Sequence, residues 1–485
     1  MFRMNTYNLD VYNIDSEFIG NTNPSSNNGT IEYLTTSIIS IETDTTIIPA
    51  SNTNTLYTLA NPSFGFIKYI TSYKLIPITI LVSGNTIVLN SVNNRLALLY
   101  DTVRWNIISN NTYTPILQLT KLVGTGSIGT TLQGSSVSLS GNGSVLAIGG
   151  PIDNTNAGAV WVYKRNIVTN DWVQQIKLAN TEISGQEGVS VSLSDNGKLL
   201  AVGIPFLDLP GLVRIYTESN DNIWTVQAEL LENTAVALGN SVSLSADGNT
   251  LAVGAPDFGI GATWVFTRNG TTWSSGTELI GTGGISPNQG FAVSLSADGN
   301  TLAVGAPEDN SEIGATWIFE KVNGVWTQIS KLIGSGSIGE PRQGASVSLS
   351  GDGHVLAVGG TFDNSSIGAV WVFIKNGNIW SQQDKLIGTG NEGDESTQGS
   401  GVSLSGDGNL LAVGGQGDNN GIGATWLYKR NDNGLWEQYG DKLIGSGSIG
   451  ESHQGTSVSL SADGNALAIG GTTDNTVIGA TWVFI

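Results

Sequence analysis

The chain contains 485 residues, among them 65 glycines and no cysteine, and it carries a formal net charge of −20. The lack of cysteine excludes disulfides and thiolate metal sites, and the negative charge disfavours nucleic acid and anionic membrane surfaces as partners. The first residues, MFRMNTYNLD, lack the basic-then-apolar pattern of a signal peptide, and no apolar run of about eighteen residues occurs. We therefore expect neither a secretion signal nor a membrane span.

The N-terminal part of the chain divides into two predicted segments. Residues 1–30 are rich in Asn and Ser and predict an extended arm. Residues 31–112 contain short apolar runs separated by turn residues, which predicts a β-rich module. Within it, TLYTLANPSFGFIKYI, ITILVSGNTIVLN and RLALLYDTVRWNII resemble small β-modules in structural proteins of large DNA viruses and tailed phages. The resemblance implies a role in trimerisation or docking.

The remainder of the chain, residues 113–485, is dominated by a repeat. Aligning on the sequence Val-Ser-Leu-Ser places seven copies in register, with successive spacings of 54, 51, 51, 54, 55 and 56 residues. The aligned residues are Val137, Val191, Val242, Val293, Val347, Val402 and Val458. A period near fifty residues built from short strands is typical of a propeller, so the fold class is predicted to be all-β with seven blades.

Each repeat predicts four strands. A Ser-Val-Ser-Leu-Ser strand leads through an Asp-Gly or Asn-Gly turn into a second strand, and these dipeptides tolerate the positive φ of tight hairpins. The first two strands carry small residues, whereas the last two carry tryptophans. This gradient predicts that the first strand lies at the axis and that the tryptophans pack between blades.

The seventh repeat stops after its third strand, at Ile485. The upstream segment PILQLTKLVG, residues 115–124, matches the fourth strand of other repeats, as in WTQISKLIG. We therefore expect residues 115–123 to complete the last blade beside Gly479–Phe484 and to close the ring, which removes an exposed sheet edge.

The repeats resemble the FG-GAP family of integrin-α-like propellers over residues 115–485. The triplets Gly254-Ala255-Pro256 and Gly305-Ala306-Pro307 are intact. A glycine occupies the FG position in every repeat: Gly134, Gly188, Gly239, Gly290, Gly344, Gly399 and Gly455. The resemblance implies a seven-bladed propeller, a scaffold that serves many functions.

Members of that family often bind Ca²⁺ in the first hairpin through several carboxylates. Here each hairpin has a single acid, and Ca²⁺ requires six to eight oxygens. The candidate ligands are Asp247, Asp298, Asp352, Asp407 and Asp463. We interpret them as turn formers and expect no cofactor. A second recurrent acid follows strand two and is expected to cap its own loop: Asp153, Asp257, Asp309, Asp363, Asp418 and Asp474.

The strand order places the Asp-Gly hairpins on one face and the long blade-to-blade connections on the other. The connections vary most, and variable loops on a rigid ring are typical binding sites. The predicted interaction residues are Glu340, Arg342, Glu392, Asp394, Glu395, Glu451 and His453. The sequence offers few candidate catalytic residues, because the two histidines, His354 and His453, fall on opposite faces and cannot share a site. A carboxylate pair among Glu392, Asp394 and Glu395 could serve a glycosidase.

The sequence therefore favours a non-enzymatic virion structural or surface protein. The N-terminal module would attach or oligomerise, and the propeller would bind other virion proteins, a host-surface protein or a glycan. One alternative is a cellular or secreted adhesion or glycan-binding propeller, located outside the cell. The third hypothesis is a glycoside-processing enzyme.

Overall fold

The computed structural model describes residues 116–485, except 167–168, 180–184, 207–209, 220–222, 258 and 432, and the backbone of nine strands within residues 1–115. The chain divides into two compact units, Met1–Pro115 and Ile116–Ile485. The expected arm at residues 1–30 lies outside the described residues. In the described part of the chain, no helix has the length and apolar character that a membrane span requires.

The N-terminal unit contains two sheets, and its first six strands alternate between them. The strands are β1 (Ile31–Tyr33), β2 (Ile38–Ile39), β3 (Thr45–Ile48), β4 (Leu56–Leu59), β5 (Ile67–Ser72), β6 (Ile78–Val82), β7 (Asn85–Leu89), β8 (Asn94–Tyr100) and β9 (Trp105–Asn111). One sheet has the order β1-β3-β5-β8-β9 and the other β2-β4-β6-β7. The first three strands of each sheet are parallel, and the later pairs are antiparallel. These nine strands agree with the all-β fold class predicted for the chain.

The C-terminal unit is a propeller of seven antiparallel sheets, as predicted. The closing strand is β10 (Gln118–Leu122). The first three blades are β11 (Ser136–Leu139), β12 (Val145–Gly150), β13 (Ala159–Arg165), β14 (Trp172–Leu178); β15 (Val191–Leu193), β16 (Leu199–Ile204), β17 (Pro210–Glu218), β18 (Trp224–Val236); and β19 (Ser241–Leu244), β20 (Thr250–Ala255), β21 (Ala262–Asn269), β22 (Thr272–Trp273), β23 (Thr277–Leu279). Blades four and five are β24 (Ala292–Leu295), β25 (Thr301–Ala306), β26 (Ala315–Val322), β27 (Val325–Leu332); and β28 (Ser346–Leu349), β29 (Val355–Gly360), β30 (Ala369–Asn376), β31 (Ile379–Leu386). Blades six and seven are β32 (Gln398–Leu404), β33 (Leu410–Gly415), β34 (Ala424–Arg430), β35 (Trp436–Gln438); and β36 (Gln454–Leu460), β37 (Leu467–Gly471), β38 (Ala480–Phe484) with β10.

The ring closes as the sequence predicted. Strand β10 pairs antiparallel with β38, so that Lys121 lies opposite Trp482, with a bulge between Gln118 and Thr120. Beyond the ladder, the backbones of Leu117 and Ile485 exchange hydrogen bonds of 2.8 and 2.9 Å. The last blade is thus built from both ends of the propeller segment.

Serine hydroxyls join the inner strands into a continuous belt. In each blade a leucine N–H donates to a serine Oγ of the preceding blade at 2.9–3.0 Å, and the bond from Leu139 to Ser459 completes the circle. The accepting serines are Ser138, Ser192, Ser243, Ser294, Ser348, Ser403 and Ser459. In strand one, the serine hydroxyls therefore accept hydrogen bonds from backbone N–H groups of the next blade, while the leucine side chains enter the core.

Tryptophans fill the space between blades, as expected. Trp426 of the sixth blade packs with Val372 and Leu386 of the fifth. The connection between blades approaches the tryptophan ring so closely that only glycine fits: a Cβ on Gly334 would lie 2.1 Å from Cδ1 of Trp371. The second blade departs from this pattern: Arg214, opposite Val202, takes the place that Trp161 has opposite Ile148.

Candidate functional site

On the hairpin face, each recurrent aspartate is hydrogen-bonded within its own turn. Oδ1 of Asp298 accepts from Ser296 Oγ at 2.6 Å and from the Asn300 N–H at 3.0 Å, and Oδ2 accepts from Asn300 Nδ2 at 2.9 Å. Partial burial would raise the pKa of Asp298, but these hydrogen bonds outweigh it and lower the pKa. The pKa is lowered likewise at Asp247, Asp352, Asp407 and Asp463.

The hydrogen bonds of these carboxylates bear on the expectation that the hairpins bind no Ca²⁺. Each offers one carboxylate, whose oxygens are already occupied by hydroxyl, amide and backbone donors. Among the described residues, no three His, Cys, Asp or Glu side chains are grouped so that they could hold a metal ion. Two ionisable side chains neighbour these turns: Nδ1 of His354 lies 3.2 Å from Oδ2 of Asp352, and Arg268 donates to the carbonyl of Asp247. In this geometry the carboxylates accept hydrogen bonds within their turns, so that binding of Ca²⁺ would require them to exchange these partners.

The recurrent acids on the connection face have a role that the sequence did not predict. Asp363 does not cap its own loop: Oδ1 accepts from the N–H of Ile338 at 2.8 Å, and Oδ2 lies 2.7 Å from Nζ of Lys385. The aspartate is fully buried, and Lys385 also lies over the ring of Trp371. The local interpretation was wrong because the partners come from other segments of the chain, the preceding connection and the fourth strand.

The same arrangement recurs in the first, fourth, sixth and seventh blades. The pairs are Asp153–Lys177, Asp309–Lys331, Asp418–Lys442 and Asp474–Lys121, at 2.6–2.7 Å. Each aspartate also accepts an N–H from the incoming connection. The third blade lacks the pair, because Glu278 stands opposite Trp264 where the first, fourth, fifth and seventh blades have lysine, and Asp257 is exposed.

Each paired aspartate begins a short left-handed turn. The turns are α1 (Asp153–Asn156), α2 (Asp309–Glu312), α3 (Asp363–Ser366), α4 (Asp418–Gly421) and α5 (Asp474–Val477), and their inner residues have φ of 50–59°. Left-handed backbone is unfavourable for residues other than glycine. It persists because the buried aspartate fixes one end and the next blade binds the other, as when Ser366 O accepts from Thr397 N at 2.8 Å.

Seven residues form what we term the variable ring, one at the start of each blade on this face. Each precedes the FG glycine by two positions and has a φ between 49° and 61°. The members are Leu132, Gln186, Ala237, Asn288, Arg342, Thr397 and His453. No residue type occurs twice, whereas the hairpins on the opposite face carry only Asp or Asn at their equivalent position.

Two of the predicted interaction residues belong to the variable ring. Arg342 forms an ion pair of 2.7 Å with Glu312 and stacks over Phe362 at 4.8 Å. His453 Nδ1 lies 3.0 Å from Thr473 Oγ1, which donates to the carbonyl of Glu451 at 2.6 Å. The two residues therefore have separate partners, Arg342 in the fourth and fifth blades and His453 in the seventh.

Four of the predicted acids lie on the two connections beside α4: Glu392, Asp394, Glu395 and Glu451. Glu392 lies 3.3 Å from Lys442, and its N–H donates to Asp418. A Cβ on Gly393 would approach Asn420, and one on Gly421 would approach His453, so α4 separates residues 392–395 from residues 451–453. The predicted acids themselves are exposed: Glu340, Glu392, Asp394, Glu395 and Glu451.

Sequence reasoning missed a row of exposed isoleucines on the same connections. The four side chains are between 56% and 63% exposed: Ile128, Ile285, Ile338 and Ile449. The signal was present in the sequence, since each follows a Gly-x-Gly-x pattern, as in GSGSIG. The connections were interpreted there only by their charged residues.

Comparisons with known proteins support the fold. No protein-family model matches the chain, and a search of curated proteins returns no match. Among solved structures, the β-propeller domain of Myceliophteria thermophila Cps50 (Swd1) is 14% identical, with a TM-score of 0.50 over 75% of this chain and 98% of that one. The hydrazine synthase of Kuenenia stuttgartiensis is 15% identical, with a TM-score of 0.50 over 74% and 98%. These likenesses concern the propeller fold alone, and the resemblance to the FG-GAP family stays a prediction.

Proposed function

We propose that the protein is a non-enzymatic interaction protein whose propeller binds partners through the connection face. A propeller is suited to protein interaction, and the observation that carries the choice of face is the variable ring. Seven equivalent backbone positions hold seven different side chains there, on a scaffold whose other face is nearly uniform. Diversity at fixed positions is what a binding surface on a rigid frame requires.

The surroundings of the polar groups support a non-catalytic role. The buried acids of the connection face are paired with lysines inside the blades, and Glu187 is paired with Arg214. The exposed acids at residues 392–395 stand on a loop, and the histidine on this face is held by Thr473. Within the described residues, none of these contacts joins a nucleophile to a base.

We further propose that the protein is a virion component, either on the surface or associated with the capsid. The support is the resemblance of the N-terminal module to those of viral structural proteins, together with its separation from the propeller as a compact unit. That module would attach the chain to other virion proteins or to itself. Proteomics of purified virions tests the proposal, and absence of the protein from them would overturn it.

The working face is tested with two sets of charge-removing variants. The first set changes Glu392, Asp394 and Glu395 to Ala, and the second changes Asp298, Asp352 and Asp407 to Asn. Binding of the protein to virions or host cells should fall in the first set only, because those charges lie on the connection face. Loss confined to the second set would assign binding to the hairpin face.

A further inference from the structure

The row of isoleucines is held in position more firmly than loop residues usually are. The backbone N–H of each, at Ile128, Ile285, Ile338 and Ile449, donates to a buried aspartate at 2.7–2.8 Å. That aspartate is in turn paired with a lysine. The isoleucines are therefore exposed on a fixed frame, and such preorganisation lowers the entropic cost of binding.

The row occupies a continuous arc of the ring. Blades four, five, six, seven and one are neighbours, since their inner strands contact in that order. In the sixth blade, Glu392 takes the isoleucine position, because its N–H donates to Asp418 as the others donate to their aspartates. The arc thus presents two isoleucines, a glutamate and two more isoleucines. The connections into the second and third blades lack the Gly-x-Gly sequence.

Exposed apolar side chains that stand singly on a surface need no explanation, but these four repeat at equivalent positions of neighbouring connections, which favours a role in binding. Three acids lie beside the row, each two residues beyond a row position: Glu340, Asp394 and Glu451. A second copy of this chain would bring a charge of −20 against an equal charge, which disfavours self-association through this face. Charge complementarity instead favours a cationic occupant.

We propose that the arc binds a cationic amphipathic segment of a partner protein. The isoleucines would contact its apolar side chains, and Glu392 with the flanking acids would receive its lysines or arginines. This inference rests on the proposed function of the connection face and adds the chemistry of the partner to it.

The test measures binding of the full-length protein to a fluorescent amphipathic peptide of alternating Lys and Leu, with a Glu/Leu peptide of equal length as the control probe. The wild-type protein should bind the cationic peptide and not the anionic one. Changing Ile128, Ile285, Ile338 and Ile449 to Ser should raise Kd by at least about tenfold, because the apolar contacts are removed. Changing Glu392→Gln should raise Kd by about threefold and reduce its dependence on salt.

The matched control changes three other exposed aliphatic residues, Val173, Val325 and Ile379, which are 56–72% exposed on the outer strands, to Ser. This variant should bind as the wild type does. The proposal is overturned if the four-isoleucine variant keeps wild-type affinity, if the control variant loses as much, or if both peptides bind alike. If sedimentation shows that the wild-type protein is a dimer and the four-isoleucine variant is a monomer, the row serves self-association instead. If virion or host-cell binding persists while the peptide fails, the proposed function stands without this partner chemistry.

Discussion

At the scale of single residues, the hairpin aspartates show how a charge can serve a turn. Two blades have Asn142 and Asn196 at this position, and both amides accept the same hydrogen bonds through Oδ1. The turn therefore requires an acceptor and not a charge. What the carboxylate adds is strength, since charge-assisted hydrogen bonds are stronger than neutral ones.

This difference predicts a pH dependence. The pKa of Asp298 and of its four equivalents is lowered in the fold from the ordinary value of 3.8. At a pH near 3.8 and below, the unfolded chain therefore binds more protons than the folded chain. Their stabilisation is present above pH 3.8 and is lost as the pH falls through the lowered pKa. Changing all five to Asn should flatten the acid side of a plot of Tm against pH, measured from about pH 6 to about pH 3.

The reverse change provides the control. Asn142→Asp and Asn196→Asp should steepen the same side of the curve. An unchanged acid slope in the five-Asn variant would show that other carboxylates cause the acid sensitivity.

At the scale of elements, the sequence specified hairpins better than connections. An Asp-Gly turn is a local signal, so every first hairpin was predicted from its own residues. The left-handed turns were not predicted, because Thr155, Ser365 and Val477 have no local preference for positive φ. Their conformation depends on an aspartate bound by a distant lysine and by the next blade. The predicted interaction residues could be placed on one face, whereas their pairing with Glu312, Lys442 or Thr473 could not.

The buried ion pair should be essential to its blade. Lys385→Met leaves the fully buried Asp363 without its counter-charge, and we expect the free energy of unfolding to fall by about 3 kcal/mol. Urea denaturation followed by tryptophan fluorescence measures this change. Lys198→Met, at an exposed hairpin lysine, is the control and should cost less than about 0.5 kcal/mol.

A second substitution separates charge from packing. Adding Asp363→Asn to Lys385→Met removes the uncompensated charge and should recover part of the loss. If the single lysine variant were as stable as the wild type, the pair would not anchor the connection.

At the scale of the whole molecule, ring closure depends on five residues, β10. Deleting residues 1–110 keeps this strand and should leave a soluble propeller with a cooperative transition. Deleting residues 1–124 removes it and exposes the edge of β38, which should lower Tm and promote aggregation. Thermal melting and sedimentation of the two truncations test this, and equal behaviour would refute closure by β10.

Calcium should matter little to the whole ring. A ligand that binds only the folded state raises Tm by mass action, so a calcium-dependent propeller would melt earlier in chelator. With one carboxylate in each hairpin, we expect EDTA to shift Tm by less than about 2 °C. A larger drop that added Ca²⁺ reverses would show that backbone carbonyls and water complete the sites.

Closure by β10 also has a mechanical consequence. The closing strand begins three residues after Pro115, where the N-terminal unit ends, and its first pair is Gln118 with Phe484 near the other end of the chain. Tension applied through the N-terminal unit therefore reaches this ladder first, whereas each of the other six blades is continuous along the chain. In a single-molecule pulling experiment from the N-terminus, the seventh blade should therefore open before the others. A propeller that is anchored through its N-terminal unit and placed under load would unfold first where β10 pairs with β38.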